Sequence, residues 1–519
     1  MARLKGDKGE ARRHKRAYFL LRQKHTQEIS KKCPKHIQEI FRIYSRDIQK
    51  RFKRHPRYSR EAGIWTILCN KYSVVHKKGL FYATGVRVLK KKRIFAPKFN
   101  NDNTTMIPTL LAQRQERDRL MSLPYLMRQT NIATQDVLRS PFIKLITGPR
   151  RAGKSVFALL MLRNENCAYL NFDDKNLLDK WNEDVVMSSL DEVYPNYKFL
   201  LLDEVQNLPQ WDLWVSKLYR NGYNMVITGS NANMLSSEMA TVLTGRYIPI
   251  LMLPFRLSEM LAYHHIDIHD IRPAEQSESV AIADDFLRNG GFPETLQSRG
   301  LTQNYLNTLY DSIVWKDIVR RHRVRNTTDL YNLANYLLSN FCNPFTVNDI
   351  TKELNISSAN TTKKFCRYLA EPFLFFYLSR YDKKLKKMKK AAQKPYIVDN
   401  GFVQSSGFNL GANLGRLLEN QVFVELLHRG YDTEKTLFYY RSRNDKETDF
   451  VTRNGTHIES LIQVCYDISS PKTAKRETDA LVECAMELQC ENLLIVTSNT
   501  ETIIERDGYT IKVVPILKF

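Results

Sequence analysis

Residues Leu145 to Val156 read LITGPRRAGKSV, and this stretch decides the fold. The short apolar strand FIKLITG, 142–148, enters a glycine loop, and VFALLMLRN, 156–164, continues as a helix. Gly148-Pro149-Arg150-Arg151-Ala152-Gly153-Lys154-Ser155 matches the pattern GxxxxGK[ST] in the strand-loop-helix context that pattern requires. The glycines let backbone N–H groups face phosphate oxygens, and the helix N-terminus adds partial positive charge. In such a loop Lys154 reaches the β- and γ-phosphates and the Ser155 hydroxyl ligates Mg²⁺. Residues 148–155 are therefore expected to hold the phosphates of ATP.

The segments downstream extend this reading. Four apolar residues, Phe199 to Leu202, lead into Asp203-Glu204 at the end of a buried strand. An acid there holds Mg²⁺ through water, and a second acid polarises the attacking water. Thr228 in VITGSN ends the next strand, where a hydroxyl senses the γ-phosphate; the competing role is that of a turn residue. Arg246 in LTGRYIPI offers positive charge to a phosphoryl transition state, in cis or from a neighbouring subunit, and competes with a structural salt bridge. ENCAYLNFDD, KFLLLDEVQ and YNMVITGSN read as strands separated by helical stretches. That alternation predicts a parallel α/β sheet.

Charge divides the chain. Residues 1–105 hold 29 basic and 7 acidic side chains, a balance of +22, whereas the other 414 residues balance at +2. A basic arm of this kind binds nucleic acid or anionic lipid by counterion release. It also lacks the regular apolar periodicity that offsets backbone ordering. The expectation is that residues 1–105 are a basic extension outside the functional unit, which begins near Met106. No apolar run reaches the roughly 18–20 residues of a membrane span. The eight cysteines show no CxxC pair, so reduced thiols and a cytoplasmic location are expected.

Beyond the ATP-loop region, 106–255, residues 256–325 read as a mostly helical lid broken at NGGFPET. TVNDITKELN and SSANTTKKFCRYLAEP, within 326–395, have the lengths of a helix-turn-helix. Lys363, Lys364 and Arg367 fall at spacings that face phosphates, and a two-stranded wing is expected to follow. Lys383, Lys384, Lys386, Lys387, Lys389 and Lys390 crowd its tip. Duplex DNA is thus a candidate partner, a protein partner is another, and oligomerisation stays open. Residues 396–519 mix helices around LLENQVFVELLHRG and 473–489 with strands LFYYRS, TDFVTR, SLIQVCYDI and ENLLIVT.

GPRRAGKS, LLLDEVQNLPQW, VITGSNANML, LTGR, LPFRLSEML, GGFPE, WKDIV, LEN and TDF occur in one order along residues 106–519. In this the chain resembles prokaryotic AAA-type P-loop ATPases carrying the C-terminal domain of unknown function 4143. The resemblance implies an AAA-type ATPase core using ATP and Mg²⁺, a winged helix, and a restriction-endonuclease-like C-terminal α/β domain. Glu419 and Asp449 match the family's acids. Where an E-x-K is expected, however, the chain has Gln463-Val464-Cys465. A neutral amide is a poorer Mg²⁺ ligand than a carboxylate and Cys465 carries no positive charge, so an inactive nuclease-like fold is expected. An ATP-gated nuclease and a non-hydrolysing, nucleotide-controlled DNA-binding regulator remain the alternatives to an ATPase.

Overall fold

The computed structural model describes residues 106–235, 243, 245–297, 299–406 and 414–519, with three short strands of the basic arm. Those strands, Val75–Lys77 (β1), Leu80–Ala83 (β2) and Val86–Arg87 (β3), form an antiparallel meander. The rest of the arm, and with it the expectation about its role, lies outside the described residues. Asp102–Phe519 forms a separate compact unit.

That unit starts with α1, Ile107–Ser122, whose Leu110 and Gln113 are buried. The Gln113 amide donates to the Asn171 carbonyl at 3.2 Å and accepts from the Asn171 N–H at 3.0 Å, tying the helix to the sheet edge. Met106 is itself buried, and its N–H donates to Ser189.

Five parallel strands follow: β4 (Ile143–Thr147), β5 (Cys167–Asn171), β6 (Phe199–Asp203), β7 (Met225–Gly229) and β8 (Tyr247–Leu251). Their order in the sheet is β5-β6-β7-β4-β8. β4, β6 and β7 are buried at every position, which is why they read as unbroken apolar runs rather than alternating ones. Because all five run the same way, the residues that follow β4, β6 and β7 share one end of the sheet.

After the sheet come α2 (Thr302–Ser312), a π-helical segment Ile313–Arg320 and α3 (Thr327–Ser339). Next are α4 (Val347–Glu353) and α5 (Ala359–Ala370), capped by Thr346 and Ser358, whose side chains accept from the Asp349 and Thr361 N–H groups. β9 (Phe375–Ser379) pairs antiparallel with β10 (Gln393–Ile397), and Lys383–Lys390 lies in the connection between them. α6 (Leu414–His428) then precedes a six-stranded mixed sheet. Its strands are β11 (Leu437–Arg441), β12 (Glu447–Asn454), β13 (His457–Val464), β14 (Leu493–Thr497), β15 (Thr502–Arg506) and β16 (Tyr509–Pro515). α7, Pro471–Leu488, packs on it.

Two cores dominate. One surrounds the parallel sheet; the other is continuous from Leu253 through α2, α3, α5, β9, β10 and α6 to Val496. The helices after the parallel sheet, the helix pair, the hairpin and the start of the C-terminal segment thus share one apolar interior. Among the described residues no helix is long and apolar enough to cross a membrane.

Candidate nucleotide site and a buried carboxylate cluster

The loop 148–155 turns tightly between β4 and the helix Lys154–Met161. Gly148 has φ +151, and a Cβ built there would overlap the Met252 carbonyl, so only glycine fits. Gly153 has φ +88 and caps the helix.

Lys154 is buried, donates to the Pro149 carbonyl at 2.9 Å and stands 3.7 Å from Glu204 Oε1. Ser155 Oγ donates to Asp203 Oδ1 at 2.7 Å. Thr228 Oγ1 donates to the same oxygen and accepts from the Glu204 N–H at 3.0 Å. Tyr169 OH donates to Asp203 Oδ2 at 3.1 Å. Five sequence-predicted residues, Lys154, Ser155, Asp203, Glu204 and Thr228, are therefore in mutual contact at the end of the sheet.

The two acids differ electrostatically. Burial pushes the Asp203 carboxyl above its ordinary range, and the adjacent Glu204 adds to that, against the bonds from Thr228, Ser155 and Tyr169. Burial works the same way on Glu204, but Lys154, Gln206, Arg150 and Ser230 outweigh it and hold that carboxyl below its usual value. Ser155 and Asp203 place a hydroxyl and a carboxylate side by side, hard oxygen donors of the kind Mg²⁺ takes while keeping several waters.

The loop's shape is held by Arg128, Asp317 and Glu294, none of them a predicted site residue. Arg128, buried, donates to the Ala152 carbonyl at 2.8 Å and the Leu253 carbonyl at 2.7 Å and pairs with Glu259 at 3.0 Å. Arg150 forms a two-pronged pair with Asp317 of WKDIV, each contact 3.1 Å, and Arg151 lies 3.5 Å from Glu294 of GGFPE. Both motifs were legible as part of the resemblance, though not as loop contacts.

Arg246 is elsewhere. It immediately precedes β8, and its carbonyl accepts from the Ile143 N–H at the start of β4, the end of the sheet opposite the loop. At about 3.3 Å per strand residue the separation exceeds roughly 13 Å. Its side chain reaches Ser216 and the Tyr219 ring instead. The cis version of its transition-state role is thus overturned.

A second polar cluster lies in the C-terminal segment. Lys394 Nζ of β10, almost fully buried, stands 2.9 Å from Glu419, 2.8 Å from Glu447 and 3.0 Å from Asp449. Tyr396 donates to Glu419 at 2.7 Å, and the Val464 N–H donates to Asp449 at 3.0 Å. Burial, reinforced by Asp449, raises the Glu419 carboxyl to about 7. Gln463 is not a third member: its Oε1 accepts from the Asp449 N–H at 3.3 Å and its Nε2 donates to Glu477 at 3.0 Å. The positive charge missing at Cys465 comes from Lys394, on a strand that no local spacing links to these acids.

A five-stranded parallel sheet ending in this loop and acid pair defines a P-loop nucleoside-triphosphatase fold of the AAA type. Family models match 140–261 as an AAA domain, 282–411 as domain of unknown function 8612, and 414–519 as domain of unknown function 4143. An uncharacterised protein of Methanocaldococcus jannaschii is 30% identical over 399 residues, 73% of this chain and 88% of the relative. One of Haemophilus influenzae is 34% identical over 362 residues, 66% and 86% respectively. A Walker-type ATPase of Pyrococcus abyssi, 14% identical, covers 57% of this chain and 95% of its own, with a TM-score of 0.34. The chain belongs to the family of AAA-domain proteins with a C-terminal domain of unknown function 4143.

Proposed function

We propose that this protein is a cytoplasmic, Mg²⁺-dependent ATPase that couples nucleotide turnover to contact with DNA or a protein partner. The observation that carries the reading is the convergence of Lys154, Ser155, Asp203, Glu204 and Thr228 at one end of the sheet. Residues 148–155 wrap the phosphates, with Lys154 on the β- and γ-oxygens. Ser155 and Asp203 would hold Mg²⁺, which would supply positive charge against the phosphates. Glu204, kept ionised, orients a water and takes its proton as the water oxygen bonds to the γ-phosphorus and the bond to the ADP oxygen breaks. Thr228 fixes the Asp203 carboxylate and the Glu204 backbone. Arg246, remote from its own loop, serves a neighbouring subunit in an oligomer.

We read α4, α5 and the β9–β10 hairpin as a winged helix that carries the output, with Lys383–Lys390 at its tip. We read the C-terminal segment as a nuclease-like fold whose acids are neutralised by Lys394 and do not cut. Lys154→Ala removes nucleotide binding and turnover; unchanged binding in that variant refutes the assignment. Phosphate release by the purified protein, with and without duplex DNA, separates an ATPase from a nucleotide-controlled regulator that does not hydrolyse.

A further inference from the structure

The run RRHRVR, Arg320 to Arg325, lies outside the loop and acid pair of the nucleotide site. It leaves the π-helical segment, and His322 from it stacks on Tyr368 of α5, with centroids 3.7 Å apart and planes 12° apart. Nε2 of His322 lies 2.6 Å from the buried Glu371 carboxylate. Around this stack the charge is nearly all positive. Lys364 and Arg367 lie 5.5 and 5.7 Å from the Tyr368 ring, and Arg367 reaches Glu371 at 3.7 Å. Burial lowers the affinity of His322 for a proton despite Glu371, and the charges of Arg321 and Arg367 act in the same direction. Arg321 is half-buried, and its Nη1 is buried with no hydrogen-bond partner among the described residues. That nitrogen is closed to a docking duplex, so Arg321 adds charge to the face rather than that hydrogen bond. Glu371 is already engaged by His322 and Arg367, which leaves Arg321 and Lys364 free of it.

Two contacts join this face to the nucleotide site. The Ala232 N–H, two residues beyond Ser230, donates to the Glu371 carbonyl at 2.7 Å, and Ser230 Oγ donates to Glu204 at 3.1 Å. On the other side Asp317, one turn before Arg321, pairs with Arg150 of the phosphate loop. The same His322–Glu371 junction is therefore reached from the acid pair and from the loop.

We propose that Arg321, Lys364 and Arg367 around the His322–Tyr368 stack form a docking face for the phosphate backbone of duplex nucleic acid, and that Ala232–Glu371 and Arg150–Asp317 make its grip depend on the bound nucleotide. The proposal rests on the ATPase reading above, and adds the residues of the face and its control. Each phosphate that a variant no longer neutralises reduces the slope of log K against log salt by about 0.9.

The test is fluorescence anisotropy of a labelled duplex with the full chain, titrated over salt in ADP and in a non-hydrolysable ATP analogue. The basic arm is common to all variants and cancels in the comparison. Lys364→Ala with Arg367→Ala, both exposed, should weaken binding and lower the slope by about 1.8, with the melting temperature little changed. Ala232→Pro, which deletes the N–H, should bring the affinities in the two nucleotides together. Asp317→Asn, isosteric, provides a second cut of the link should the proline variant not fold. An unchanged slope in the double variant overturns the face. Equal duplex affinity in the two nucleotides, for a parent that binds both, overturns the control. A parent that binds neither nucleotide refutes the ATPase reading instead, and a face whose charge variants lose a protein partner while keeping duplex affinity also overturns the proposal.

Discussion

Lys394 of β10 and Asp449 of β12 meet at 3.0 Å, Nζ to Oδ1, so a strand of the hairpin supplies the charge that the C-terminal acids need. Glu419 and Glu447 share the same ammonium. Removing one partner of a buried ionic cluster leaves the others uncompensated and costs about 3–5 kcal/mol. Lys394→Met should therefore destabilise the protein by about that much at neutral pH in urea melts. The loss should shrink in mild acid, where the carboxyls take up protons. Stability equal to the parent at neutral pH would show that water solvates the cluster. For the same reason the parent should leave supercoiled plasmid intact in Mg²⁺, and cutting abolished by Asp449→Ala would refute the closed-site reading.

Lys154, Gln206, Arg150 and Ser230 together outweigh burial and hold Glu204 ionised, the state that the proposed role as base requires. Glu204→Gln keeps the shape and removes the proton acceptor. Nucleotide affinity should change little while turnover falls by about 10²–10⁴-fold, the usual contribution of a general base. Parallel measurement of nucleotide binding by calorimetry and of phosphate release checks this. A parallel loss of binding would mean that the residue holds the loop rather than acting on water.

The two loop glycines should behave differently. At Gly148 a Cβ would collide with the backbone of Met252, which cannot swing away, whereas at Gly153 the nearest atom is the Arg128 side chain at 3.6 Å. Gly153→Ala meets only the strain of φ +88, about 1–3 kcal/mol. Gly148→Ala should abolish nucleotide binding and lower the melting temperature markedly, and Gly153→Ala should fold and bind more weakly. Equal effects would show that conformation, not space, sets the constraint at both.

The nucleotide site was legible because its parts are local: a loop of eight residues and strand-end acids, each announced by an apolar run, brought together by parallel strands. Lys394 was not. Its sequence neighbours, QKPYIVD, describe an ordinary strand, and only the antiparallel pairing of β9 with β10 and their packing near α6 bring it to Glu419. Arg246 was not placed by its motif for the opposite reason: it sits at the far end of the strand from its own loop, which leaves only the role toward a neighbouring subunit. β15 and β16 were missed because their polar alternation, ETIIERDGYTIKVVP, leaves one strand largely exposed at the sheet edge.

Asp399 supplies the pH signature. It is buried between two turns and accepts from the Gly291 N–H at 2.7 Å and the Gly401 N–H at 2.9 Å. Burial still dominates and lifts its carboxyl to about 7. In the unfolded chain an aspartate titrates near 3.9. Between these values the folded state holds a proton that the unfolded state has released, so stability must fall as pH rises. The contribution is full below about pH 4, declines by up to about 1.4 kcal/mol per pH unit to about pH 7, and is flat above. Asp399→Asn cannot titrate. It will be less stable at low pH, because its NH₂ faces a backbone donor, but its stability should fall less steeply with pH. Glu419, also raised to about 7, titrates in both proteins and cancels in their difference. Urea midpoints from pH 4.5 to 8 should therefore converge as pH rises to about 7 and run parallel above it. Curves parallel throughout would mean that Asp399 is ionised in the folded protein across the whole range.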